Sequence, residues 1–338
     1  MLRVPRRRLP ARVTNLALLV ALVLAFATGV GAVATGSPRG RWIVVAHGGV
    51  AALVVVLAPG KGRIVRTGLR RPGLGRSASL ALAVLTVAAV VAGVVHSTGV
   101  VRSLWGLPVL WFHVALALAL VPFAAWHAVA RRVRPRRADL SRRTALRLGS
   151  LVALAAGLDA AVVVGTDAAR LPGSRRRFTG SYETAALPAT IWLRDSVPDV
   201  DDRTWRLRIV DGDGRQELAL PELADRRVSW RALIDCTSGW YSVQDWQGVP
   251  VAALIRSHGD ARSLLVHSVT GYWVRFPVED LDRLLLATAV GGVPLSAGNG
   301  FPLRLVAPGR RGYWWVKWVR RVEVVDGPWW AQPPVPLQ

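Results

Sequence analysis

Leu233-Ile234-Asp235-Cys236-Thr237-Ser238-Gly239-Trp240 holds the only cysteine of a 338-residue chain. It is an apolar run that stops at a turn of small residues. One thiol excludes an intramolecular disulfide framework and any metal site built from several cysteines. A thiol at a strand end, followed by backbone amides and a glycine, has the surroundings to act as a thiolate toward a ligand in a cleft. On base rates alone, a lone cysteine is more often a small buried hydrophobe.

The composition around this run changes along the chain. The chain carries 44 Lys and Arg against 21 Asp and Glu, a formal charge of +23. Residues 1–177 hold 26 basic side chains and three acidic ones, Asp139, Asp159 and Asp167, whereas residues 178–338 hold 18 of each. The excess coincides with the long apolar runs, so it reads as membrane topology and not as a phosphate-binding surface. Nucleic acid is therefore not an expected partner, and a soluble single domain is excluded.

Five stretches, near 15–35, 42–59, 77–99, 108–130 and 145–166, have the roughly 17–25 apolar residues needed to cross a hydrocarbon layer. A signal peptide alone does not account for the first, because four more follow it. The loops 3–12, 61–76 and 131–147 hold 19 basic residues, against Arg39, Arg41 and Arg102 in the intervening ones. The positive-inside rule then puts the N-terminus in the cytoplasm and everything after about residue 167 outside it, in a multi-pass cell-membrane protein. Arg170 and Arg175 to Arg177 lie on the wrong side for the rule. Ser141-Arg142-Arg143-Thr144-Ala145-Leu146 resembles a twin-arginine export signal placed internally, with Ala145 where that pattern prefers Phe. An ordinary basic flank is the alternative.

Of six histidines, His47, His96, His113 and His127 lie in or at the edges of these spans. Ionisable residues in lipid are functional candidates by default. Two neutral imidazoles on different helices are what a haem b iron needs, which makes these four candidate iron ligands. His113 and His127 are 14 residues apart, about 21 Å and nearly four turns of helix, so both face one way at different depths. This spacing resembles the histidine pair of di-haem cytochromes b. His47, His96 and His113 fall near the outer surface, with His113 and His47 the best pair; His127 lacks a visible partner. Interfacial histidines bonded to headgroups or backbone are the alternative, and Trp42, Trp105, Trp111 and Trp126 fit an aromatic belt.

From Phe178 short β-rich runs at 204–210, 263–268, 303–307 and 320–325 alternate with Gly, Pro and Asp turns. Helical pattern is confined to stretches such as 250–257 and 278–289. About 160 residues suffice for one buried core. The expected plan is multi-domain: an all-α transmembrane bundle over 1–167, a linker over 168–180, an α+β domain with mixed sheets over 181–328, and a tail over 329–338.

Three segments then match a family. Ile234 to Trp240, its continuation Asp245-Trp246-Gln247-Gly248-Val249-Pro250, and Gly300-Phe301-Pro302-Leu303-Arg304 leading into Gly312-Tyr313-Trp314-Trp315-Val316-Lys317-Trp318 resemble the molybdopterin-binding domain of the sulfite oxidase family. The resemblance covers about residues 180–326. It implies that Cys236 is the molybdenum ligand and catalytic centre, a soft thiolate suiting a metal that cycles between oxidation states. It further implies a Mo-molybdopterin cofactor held by Arg304, by Lys317 with Trp315 and Val316 beside it, by Asn299, which replaces the family's histidine, and by Arg194, upstream in a Leu-Arg-Asp-Ser-Val-Pro stretch. Charge-assisted bonds are the strong ones for such an anion. Arg310 and Arg311 are expected to meet an anionic substrate or solvent, and His258 and His267 to be structural or solvent-facing.

Only about a dozen residues follow Asp326, where sulfite oxidases continue into an immunoglobulin-like domain. The plan looks more like the bacterial extracytoplasmic members, such as methionine sulfoxide reductases that work with a haem-bearing membrane partner. The expectation is a membrane-anchored molybdenum oxidoreductase that transfers an oxygen atom to or from a small substrate outside the cytoplasm. A haem b would exchange its electrons with quinone or another membrane carrier. Reduction of an S-oxide or N-oxide is the favoured direction. A sulfite-type dehydrogenase, a non-catalytic pterin-binding membrane protein, and an enzyme whose spans are a bare anchor are the alternatives.

Overall fold

The computed structural model describes residues 9–68, 74–191, 196–212 and 214–335. It divides into two compact units, one comprising Met1–Ala32 and Pro38–Gly180, the other Val33–Ser37 and Ser181–Gln338.

The first unit is built from five long helices, α1 (Ala11–Ala34), α2 (Arg41–Gly68), α3 (Leu74–Thr98), α4 (Val109–Ala130) and α5 (Arg142–Ala168). Each contains a stretch long and apolar enough to cross a membrane. Their apolar side chains, such as Val20, Val23, Val84, Val87 and Leu154, point outward in numbers that water would not tolerate and lipid would. The helices pair α3 with α4 and α2 with α5. A short hairpin, β1 (Ser103–Leu104) and β2 (Leu107–Pro108), joins α3 to α4. Ser141 caps α5, its hydroxyl accepting from the Thr144 N–H at 3.3 Å. The basic loops gather at one end of the bundle, where Arg12 pairs with Asp139 at 3.1 Å and Lys61 donates to Asn15 at 2.8 Å.

The second unit is α+β with mixed sheets. One sheet contains β3 (Tyr182–Glu183), β6 (Val228–Asp235), β7 (Trp240–Pro250), β10 (Leu285–Val290), β11 (Val293–Pro294) and β12 (Arg304–Val306). Its long strand β7 pairs antiparallel with β6 and β10 and parallel with β3. The other runs β5-β4-β13-β8-β9, from β4 (Arg206–Asp211), β5 (Gly214–Ala219), β8 (Ser263–Ser268), β9 (Trp273–Pro277) and β13 (Val319–Val325). The β13–β4 pair is parallel and the rest are antiparallel. Both sheets contribute to one apolar core, with Leu207, Ile209, Trp246, Leu264, Phe276 and Leu305 at or near zero exposure.

Two helical expectations are corrected. Within 250–257 only a turn of 3-10 helix forms, Val251–Ala253, and 278–289 splits into a 3-10 segment, Val278–Arg283, and strand β10. Leu285, Leu286 and Ala287 are fully buried, because β10 lies inside its sheet with both faces covered. A strand buried on both sides loses the alternation that would distinguish it from helix. The one α-helix among the described residues here is α6 (Leu220–Asp225).

Phe276, fully buried on β9, meets the Trp314 ring edge-on at 5.1 Å between centroids. Phe276→Ala is expected to destabilise this unit by about 3–5 kcal/mol, read as a lowered midpoint of chemical unfolding followed by tryptophan fluorescence.

Candidate functional site

Strands β6 and β7 form a hairpin whose tight link carries Cys236. Its N–H donates to Trp240 O (2.8 Å) and its carbonyl accepts from the Gly239 N–H (3.1 Å), so backbone bonds fix the turn. The thiol is 8% exposed, and the Ser238 hydroxyl donates to Sγ at 3.1 Å.

Arg304, at the start of β12, and Lys317, just before β13, come to this thiol from the other end of the sequence. Arg304 is 4% exposed and stacks over the Trp246 ring at 5.6 Å. Its Nη1 donates to Asn299 O (3.1 Å), while its Nε is buried without a partner. Lys317 Nζ donates to two carbonyls, Thr190 O (2.8 Å) and Gly298 O (2.6 Å). Gly300, at φ +108°, lets the two cationic residues close up: a side chain there would begin 3.2 Å from Lys317 Cα and 3.3 Å from Arg304 Cβ. Asn299 donates from Nδ2 to Leu187 O at 3.1 Å, and its Oδ1 is buried and unpaired.

Neither cation has a carboxylate partner among the described residues. Burial lowers the pKa of Arg304 to about 10, opposed by the Cys236 charge. Burial, with the neighbouring Arg304 charge, lowers that of Lys317 to about 7, again opposed by Cys236. Desolvated cations beside a sulfur, with an unpaired Nε and an unpaired Oδ1, are chemically suited to an anion that also offers hydrogen-bond donors.

The cluster therefore brings together Cys236, Asn299, Arg304 and Lys317. Trp315 and Val316, expected beside them, are 2% and 1% exposed and belong to the core, Trp315 packing on Trp246 at 5.4 Å with Nε1 donating to Arg310 O. Their side chains are committed to packing, both lying in the cluster of buried residues. Arg194 lies outside the described residues. Arg310 and Arg311 differ from expectation: Arg310 pairs with Asp280 at 2.5 Å and covers Trp314, and Arg311 is a buried partner of Asp235. Sequence reading missed this second pairing, since its members are 76 residues apart. It also missed Ser238 and Thr190, whose only signal was a small polar side chain near Cys236 or in an irregular loop. His258 is exposed, and His267 lies on β8 at 3.8 Å from Glu323.

In the helical unit, His47 on α2 and His113 on α4 face each other, ring centroids 5.9 Å apart and planes at 81°. His47 Nδ1 lies 3.0 Å from Ala25 O, and His113 Nδ1 2.8 Å from Ala89 O. A carbonyl only accepts, so each Nδ1 carries the proton and each Nε2 keeps its lone pair. Side chains at Gly29 and Gly93 would begin 3.2 and 3.1 Å from these imidazoles. His96 is instead bonded to the Gly180 backbone, and His127 reaches Ser79 at 3.4 Å.

The domain has two mixed sheets and sets one thiol against a buried and a half-buried cation. Residues 194–332 match the family described as "Oxidoreductase molybdopterin binding domain". Within the C-terminal unit, residues 194–332 thus carry the sequence of an oxidoreductase molybdopterin-binding domain, an enzyme domain. Similar proteins include the uncharacterized oxidoreductase YuiH of Bacillus subtilis (strain 168), 34% identical over 98 residues, 27% of this chain and 48% of that one. Another is the protein-methionine-sulfoxide reductase catalytic subunit MsrP of Gluconobacter oxydans (strain 621H), 27% identical over 138 residues, 34% of this chain and 42% of that one. The chain thus spans less than half the length of these relatives. Among solved structures, the sulfane dehydrogenase SoxCD from Paracoccus pantotrophus matches at 24% identity and a TM-score of 0.36, covering 39% of this chain and 40% of that one.

With its folded pKa near 7 and an ordinary value near 10.5, Lys317 binds fewer protons folded than unfolded across that window. Stability without cofactor is therefore expected to rise from about pH 7 towards 10. Lys317→Met should flatten this rise, measured as the thermal midpoint against pH.

Proposed function

We propose that the protein is a membrane-anchored molybdenum-cofactor oxidoreductase that transfers an oxygen atom between its substrate and water outside the cytoplasm, as an S-oxide or N-oxide reductase. The observation that carries this reading is the buried Arg304 and half-buried Lys317, both without a carboxylate partner, beside the Cys236 thiol. When bound, the molybdenum centre supplies two-electron oxygen-atom chemistry. In this reading Cys236 is the sulfur ligand and Ser238 its hydrogen-bond donor. Arg304 and Lys317 neutralise the phosphate and polar rings of the pterin, Arg304 offering its unused Nε. Asn299 Oδ1 accepts from a pterin N–H, and Arg194 is a further cofactor contact. The Trp246 and Trp315 rings behind Arg304 keep water from the cations and so strengthen their hold on an anion. The reductive direction has the support of the similarity to a protein-methionine-sulfoxide reductase catalytic subunit.

The membrane unit is read as the electron path, exchanging electrons with quinone or a similar carrier through one haem b bound by His47 and His113. The facing imidazoles on α2 and α4, each with Nδ1 set on a backbone carbonyl, are the residues that would hold the iron, and the haem would supply one-electron transfer there. The basic loops favour a cytoplasmic N-terminus, and Ser141-Arg142-Arg143, at the head of α5, is read as the twin-arginine export signal of the domain that follows.

Purified protein is expected to contain molybdenum and pterin in near-equal amounts, and Cys236→Ser to lose oxygen-atom transfer from methyl sulfoxides and its metal. A parent without molybdenum, or a Cys236→Ser variant with unchanged metal and activity, overturns the reading. Either His47→Ala or His113→Ala is expected to abolish the b-type band of the reduced-minus-oxidised spectrum with molybdenum content unchanged. Persistence of that band in both variants removes the haem assignment.

A further inference from the structure

Directly behind Cys236 is a buried polar knot that the cofactor chemistry leaves unused. Asp235, immediately before the cysteine, is 2% exposed and forms an ion pair with Arg311, also 2% exposed, through Oδ1 and Nη1. Ser181, fully buried just before β3, donates to the same Oδ1 at 2.6 Å and lies 3.4 Å from Arg311 Nη1. The other arm of the guanidinium, Nη2, donates to the carbonyl of Cys236 at 3.3 Å. Asp235 and Arg311 also form an isolated parallel backbone bridge. Gly312 closes the knot, since a side chain there would begin 3.0 Å from Cys236 Cα.

The arrangement binds three distant segments to one residue. The Cys236 carbonyl is held from two directions, by the Gly239 N–H and by Arg311, while its N–H is held by Trp240 O. With both backbone polar groups fixed, the Cα–Cβ direction of the cysteine is fixed too. A buried ion pair is a poor device for stability, because apolar residues of similar volume commonly replace it at no loss; a planar fork that reads a carboxylate and a carbonyl together is a good device for orientation.

We propose that the Asp235–Arg311 pair, with Ser181, is a positioning device that fixes the direction in which Cys236 presents its sulfur to the metal. The inference rests on the molybdenum reading above. No member of the knot touches the metal; each acts through the cysteine backbone, in the way outer groups orient metal ligands.

The test is the double variant Asp235→Leu/Arg311→Met, which leaves no unpaired charge, together with Arg311→Lys, which keeps the charge and loses the fork. Each is purified whole and examined for molybdenum content, thermal midpoint, kcat with a methyl sulfoxide, and the Mo(V) electron paramagnetic resonance spectrum, which responds to the orientation of the sulfur. The double variant is expected to fold and load metal. It should show shifted Mo(V) g-values and a kcat lower by about 10- to 100-fold. Arg311→Lys should not restore the parent spectrum. A loaded double variant with the parent's spectrum and kcat overturns the positioning role and leaves the molybdenum reading standing. A parent without molybdenum overturns that reading, and this inference with it. Should the double variant fail to fold, the Arg311→Lys spectrum alone decides: parental g-values sink the proposal, shifted ones sustain it.

Discussion

Arg304 is buried and Lys317 half-buried beside a thiol, and among the described residues no carboxylate neutralises either. A charge in that position is tolerated only when something else compensates for its lost hydration. Backbone carbonyls do part of this for Lys317, and the Trp246 face does part for Arg304. The remainder is a standing demand for an anion, and the surrounding structure is consistent with meeting it. Gly300 allows the cations to approach each other, the β6–β7 turn presents the sulfur beside them, and two layers of sheet exclude water from behind.

The same unit contains a second kind of charge, one paired with a carboxylate. Arg311 differs from Arg304 only in having a carboxylate and a hydroxyl within reach, and that difference separates their uses. A guanidinium neutralised by a carboxylate is held in place, fit to orient a backbone. A buried guanidinium with no carboxylate is fit to receive an anion, and the buried Nε of each arginine is left without a partner. Two arginines seven positions apart in one loop region therefore have opposite chemical availability, and local sequence does not distinguish them.

The contrast marks the limit of what the sequence disclosed. The five long helices were legible because each meets by itself the length and hydropathy that crossing a membrane would require, and β4, β8, β12 and β13 were legible because their β-rich runs end at Gly, Pro or Asp turns. Strand β10 was misread because burial on both faces erased its period. Cys236 ranked as a site only through resemblance, since nothing in the spacing of one thiol separates a ligand from a core residue. The Asp235–Arg311 pair was invisible for a stricter reason: neither residue has a local pattern, and contact depends on a pairing of β6 with the loop after β12 that only the folded sheet creates. Trp315 and Val316 have side chains buried in the core, as a motif rich in aromatic residues draws its regularity from core packing as much as from ligand contact.

The membrane histidines yield to a similar argument about protons. Because each Nδ1 of His47 and His113 faces a carbonyl, the proton is fixed there and the lone pairs are left on the two Nε2 atoms. His127 also has Nδ1 committed: the Ser79 hydroxyl uses its own proton on Gly75 O at 2.7 Å, so at Ser79 the imidazole is the donor. Its Nε2 would thus be free as well, yet a bis-histidine site needs a second imidazole at the same depth. The remaining span histidines, His47, His96 and His113, all lie near the opposite ends of their helices, and His96 is taken by the Gly180 backbone. Two haems spaced along α4 would need a fifth histidine among the spans, so the proposed electron path reduces to one iron, on the side of the bundle away from the basic loops.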